Sequence, residues 1–145
     1  MWIELIRCSA SECSFFEPAA WASVSLAEES LDVTFPAELR ELLFESNGVQ
    51  GEYGLGLVWP IERIVADNLE FRRNSTFRDI YMPFTSLLFF GDAGNGDQFA
   101  FPIHANGKIE RDDIFAWNHE DDSRKWVAPS LKLFFDWWSN GKINL

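Results

Sequence analysis

The stretch FFGDAGNGDQFAF, Phe89 to Phe101, decides the fold. Three glycines, two aspartates and an asparagine separate two aromatic runs. Glycine reaches positive φ without steric cost, and Asp and Asn bond their own backbone in turns. The segment therefore predicts a hairpin, with SLLFF as one strand and QFAFPI as the other. Two chemical alternatives fare worse. A calcium loop counted from Asp92 would have Gly94 and Gly96 at ligand positions, and Ile103 where the bidentate Glu belongs. A phosphate loop would need a GxxxxGK[ST] pattern, yet no Lys or Arg lies between Phe89 and Phe101. A looser metal site from Asp92, Asn95 and Asp97 stays chemically open, although turn chemistry explains the same residues.

Working outward, DIFAW and the residues from Arg124 to Val127 read as two further strands. PSLKLFFDWWSNG then places Leu131, Phe134, Phe135 and Trp138 at helical spacing, with a stop at Gly141. Toward the N-terminus, Pro18 to Leu31 reads as a helix with Trp21, Val24, Ala27 and Leu31 on one stripe; Glu28 and Glu29 fall off it, toward water. After the extended DVTF, Pro36 suits the first turn of a helix carrying Leu39, Leu42 and Leu43 and stopped by Asn47-Gly48. YGLGLVWP reads as a strand, and PIERIVADNLEFRRN as a helix with Ile61, Ile64, Val65 and Leu69 inward. The order predicts an α+β fold: a single domain over residues 1–145, with a central, mainly antiparallel sheet packed by helices.

Composition agrees. The chain has 145 residues, 47% of them apolar, with seven Trp and fourteen Phe, enough for a sizeable core. Its net charge of -11 disfavours binding to nucleic acid and favours encounter with a basic partner. Cys8 and Cys13 form no metal spacing and are expected to be reduced. With no secretory leader pattern and no membrane-length apolar run, the expected compartment is the cytoplasm.

The residues present no catalytic constellation. His104 follows a strand, His119 sits in FAWNHEDD, and no nucleophile lies in a motif such as GxSxG. No cofactor and no metal ligand set is predicted. The alternative, a metal-dependent enzyme, would have to draw on Asp92, Asp97, His104 and His119.

Taken in order, these pieces resemble the SMI1/KNR4 family of the SUKH superfamily. The matching positions are Glu28, Phe35-Pro36, Asn47-Gly48, Gly91-Asp92 with Gly96-Asp97, Trp117 with His119-Glu120, and the closing Ser130 to Trp138. The resemblance runs from about Val24 to Trp138. It departs from the usual pattern at VQGEYG after Gly48, at Ala93, and at Asn118.

The resemblance implies a non-catalytic, protein-binding role. Bacterial members look like immunity proteins that neutralise a toxin, often a nuclease, and fungal members are associated with cell-wall regulation. A regulatory scaffold binding a host protein is thus the competing role. For a basic toxin, the expected contacts are the acids Glu28, Glu29, Asp92, Asp97, Glu120, Asp121 and Asp122, all taken as exposed.

Overall fold

The computed structural model describes residues 1–9, 12–143 and 145. The chain opens with helix α1 (Trp2–Ser9) and a short strand β1 (Ser14–Phe15), then runs through α2 (Trp21–Leu31) and α3 (Ala37–Glu45). Strands β2 (Val49–Gln50) and β3 (Gly56–Val58) flank a short 3-10 turn at Glu52–Gly54. Helices α4 (Ile61–Arg73) and α5 (Ser75–Ile80) follow. Strands β4 (Leu87–Asp92), β5 (Gln98–Pro102), β6 (Ile114–Trp117) and β7 (Arg124–Ala128) precede the closing α6 (Leu131–Ser139).

The fold is α+β, as the pattern predicts, but the strands divide into two antiparallel sheets. One has the order β1-β2-β3 and the other β4-β5-β6-β7. They meet where the Trp59 N–H donates to the Phe90 carbonyl at 2.7 Å. Gly91 permits that approach, because a Cβ there would overlap the Leu57 carbonyl oxygen.

Helices cover both faces of the four-stranded sheet. Neighbouring strand residues point to opposite faces. Phe89 meets Phe71 of α4 at 4.8 Å between rings, while Phe90 meets Phe134 of α6 at 5.8 Å. All five residues from Leu87 to Gly91 are buried, so β4 is apolar on both sides and carries no alternation.

Three local expectations shift. Helix α2 starts at Trp21, not Pro18, since the preceding residues run extended: Ala19 N–H donates to Leu43, and Asn47 N–H to Glu17. Trp21 is exposed and stacks on Phe44 with ring centroids 4.8 Å apart, so only Val24, Ala27 and Leu31 of its stripe are buried. Pro36 stands just before α3, at its cap. Ahead of these elements α1, which the pattern did not predict, buries Trp2 and Ile6 and packs on α3 and α6. Its open first turn is capped by Glu45, which accepts from the N–H groups of Trp2 at 2.9 Å and Ile3 at 3.3 Å.

Candidate functional site: a cleft beside the glycine hairpin

Strands β4 and β5 form the expected hairpin, with Asp92 paired to Gln98. In its turn, Asp97 N–H donates to Asn95 Oδ1 at 3.0 Å, and Gly94 and Gly96 take positive φ of 97° and 94°. Gly96 has a second reason to be glycine. A Cβ there would stand 2.7 Å from the His119 ring.

This turn forms one wall of a cleft of about 700 Å³. Phe16 and Glu17 ahead of α2, Asn47, the Gly54–Gly56 stretch, the Trp59-Pro60 step and Arg63 of α4 complete it. The motif positions Asn47, Asp92, Gly96 and Asp97 are scattered through the sequence, and the fold brings them to this one place.

Each polar group in the cleft is positioned by a definable contact. Arg63 holds Asp92 through two bonds, at 2.9 and 3.1 Å, and Asp67 through Nε at 3.0 Å. Its guanidinium lies over the Trp59 ring, 4.2 Å from the centroid. Burial opposes the charge of Arg63, but the bonds to Asp67 and Asp92 outweigh it and raise the pKa further. Trp59 Nε1 is buried and has no hydrogen-bond partner among the described residues. Gly56 makes room for the group: a Cβ there would come within 3.2 Å of Trp59 and 3.4 Å of both Arg63 and Asp92.

Asn47 follows α3, whose cap is Ser46 in extended conformation. The Asn47 Oδ1 accepts from Ile61 N–H at 2.7 Å, which caps α4 across space, and its amide donates to Glu62 at 3.1 Å. Phe16, which lines the cleft, is exposed, and so is Tyr53, the neighbour of the lining residue Gly54; sequence periodicity marks neither. Tyr53 is 99% exposed and adopts φ 58°, ψ 26°, a left-handed conformation that costs a non-glycine residue of order 1–2 kcal/mol.

The seven acids predicted as exposed contacts do not form one surface. Glu29, Glu120 and Asp121 are exposed. Glu28 is half-buried, accepting from Phe35 N–H at 2.7 Å with Arg40 at 3.8 Å, and so fixes the link between α2 and α3. Asp92 is half-buried under Arg63. Asp97 is only 6% exposed, since its carboxylate accepts from His119 N–H at 3.2 Å and lies 2.8 Å from His119 Nδ1. Asp122 is half-buried as well. It takes φ 61°, accepts from the Trp117 indole at 2.7 Å and Met82 N–H at 2.8 Å, and pairs with Arg124 at 3.3 Å. The expectation of exposure is therefore corrected for Glu28, Asp92, Asp97 and Asp122, whose carboxylates close backbone and ion-pair contacts. Asp92 and Asp97 share the cleft, Glu120–Asp122 follow on His119, and Glu28 and Glu29 line a different groove with Asp32 and Asp112.

His104 stands in the turn after β5, its N–H bonded to the Lys108 carbonyl at 2.8 Å. Among the described residues no three His, Cys, Asp or Glu side chains gather to hold a metal ion. Cys13 is a free thiol whose pKa burial raises, with Glu12 adding to the shift; the side chain of Cys8 lies outside the described set. Among the described residues no helix is long and apolar enough to cross a membrane.

The glycine hairpin turn, the Trp59-Pro60 step and Asn47 thus meet around one cleft. The family model SUKH_6, described as SMI1-KNR4 cell-wall, matches residues 22–135, and the chain belongs to that family. A search of curated proteins finds no match.

Proposed function

We propose that this chain is a non-catalytic protein-binding domain. In this reading it acts in the cytoplasm as an immunity protein, neutralising a basic toxin of the nuclease class. One observation carries the reading. Four of the motif positions behind the family resemblance, Asn47, Asp92, Gly96 and Asp97, converge on a cleft of about 700 Å³ that the exposed Phe16 also lines. Buried aromatic contacts dominate the energy of most protein interfaces, and charge governs the speed of encounter. Glu17, Asp92 and Asp97 outnumber Arg63 in the cleft lining, and the whole chain carries -11, so a cationic partner is the complementary one. Glu29, Glu120 and Asp121, being exposed, serve as steering charges rather than as the contact itself.

The test is a pull-down from the source cell that includes any toxin domain encoded next to this chain, washed across a salt series. Capture of a basic nuclease domain, loosened by salt and blocking its activity, is the expected result. Capture of a host regulatory protein alone, with no effect on any neighbouring toxin, would overturn the immunity reading in favour of a scaffold.

A further inference from the structure

A second cavity, of about 350 Å³, opens between α4, α5 and the segment leading into β4. Its walls are aromatic: Phe71, Phe77, Tyr81 and Phe84 stand with ring centroids 5.3 to 5.7 Å apart around it. The size falls within the roughly 300–1,000 Å³ of small-molecule sites. Its charge is opposite to that of the rest of the chain. Arg72 and Arg78 line it and no carboxylate does, in a protein with nearly twice as many acids as bases.

Among the described residues neither arginine is matched by an ion pair: Arg78 is exposed, and Arg72 donates at 2.9 Å to the Leu31 carbonyl while its buried Nε has no partner there. Burial lowers the pKa of Arg72, and Asp32 only partly offsets it. An anion at the mouth would complete what the protein leaves unmatched. The apolar surface continues outward: Met82 at the wall and nearby Ile80 are 64% and 61% exposed.

We propose that this pocket binds a single-tailed amphipathic anion, with the acyl or aryl tail among the four aromatic rings and the anionic head between Arg72 and Arg78. Aromatic walls with a few placed polar groups suit a ligand that is apolar at one end. The site is separate from the glycine-hairpin cleft and stands whether or not a toxin binds there.

Decanoate is the probe, titrated into the full chain by calorimetry below its micellar concentration, beside uncharged decanol and cationic decyltrimethylammonium. Saturable binding of one decanoate per chain is expected, with decanol weaker by roughly tenfold, the loss of one charge-assisted contact. Arg78→Gln, an exposed position, should weaken decanoate severalfold and leave decanol unchanged. Thr85→Trp, at the exposed edge of the pocket, should abolish binding of both with the melting temperature unaltered. Vesicles of anionic lipid separate the sources. Recruitment lost in Thr85→Trp assigns the head to a lipid, and no recruitment assigns it to a free acid. Equal affinity for the three head groups, or undiminished binding by Thr85→Trp, would overturn the proposal.

Discussion

Replacing Asn68 by Ala should cost about 4 kcal/mol, although Asn68 touches neither cavity. This side chain on α4 is 1% exposed and serves as a surrogate strand for the edge of β4. Its amide donates to the Ile64 carbonyl at 2.7 Å and the Phe89 carbonyl at 2.8 Å, and its Oδ1 accepts from Phe89 N–H at 2.9 Å. The Ile64 carbonyl also lies within a helix, so losing the side chain leaves it satisfied. Both Phe89 groups would be buried and bare, at about 1–3 kcal/mol each. For a chain of this length the loss corresponds to a fall in melting temperature on the order of 10–15 °C. Asn68→Asp should be no better at neutral pH, because it turns an acceptor oxygen toward two carbonyls and buries a charge. Urea unfolding followed by tryptophan fluorescence gives the number directly, with the slope unchanged if only the native contacts are lost. A cost below about 1 kcal/mol for Asn68→Ala would refute the reasoning.

Other changes test other parts of the fold. Gly91→Ala should part the two sheets where β3 meets β4, breaking the bond from Trp59 to Phe90 and costing about 3 kcal/mol or more in the same unfolding assay. Asp122 gives a pH dependence with a definite sign. Burial pushes its carboxyl up, but bonds from Met82 N–H and the Trp117 indole, with the Arg124 charge, outweigh that and hold it below the ordinary 3.8. Its contribution is therefore fully present above that ordinary value and is lost as pH falls through the lower folded one. Wild type should exceed Asp122→Asn by roughly 2 kcal/mol at pH 7, and the gap should close progressively below about pH 4; a gap independent of pH would contradict the assignment. Tyr53→Gly should leave stability unchanged or raise it by about 0.5 kcal/mol. Relief of the left-handed strain, about 1–2 kcal/mol, exceeds the 0.5–1 kcal/mol of added chain entropy, and no packing is lost.

The hairpin, α3, α4 and α6 were legible because turn chemistry and helical spacing agree there with burial. Two features escaped for physical reasons. Asn68 stands four residues after Ile64 on the buried face, where an apolar-only stripe passes over a polar residue that is fully bonded. α1 has its own signal, Trp2 and Ile6 four apart, but it is short, and its packing on α3 and α6 is a long-range contact. The second sheet was hidden because β1 and β2 have only two residues each, too few to show alternation. At the candidate site, Gly94, Asn95 and Gly96 were correctly read as turn formers, whereas the carboxylates of Asp92 and Asp97 bond Arg63 and His119 instead. The convergence of these residues with Asn47 and Trp59-Pro60 depends on Gly91 and Gly56 leaving room for neighbouring chain, which spacing along a sequence does not encode. Charge also misled: Asp97 and Asp122 look like surface acids until Gly96, His119, Trp117 and Met82 are seen to close over them.

The central claim is that the cleft beside the glycine hairpin is the contact surface. Its most direct test is the calorimetric affinity of Phe16→Ala for the basic toxin domain recovered in the pull-down, beside a Glu120→Lys, Asp121→Lys double variant. The account predicts a loss of about 30-fold or more for Phe16→Ala with the melting temperature little changed, the signature of a hot-spot side chain, and for the double variant a slower, less salt-sensitive association. Wild-type affinity in Phe16→Ala, with binding abolished in the double variant, would contradict it and move the contact to the acidic turn.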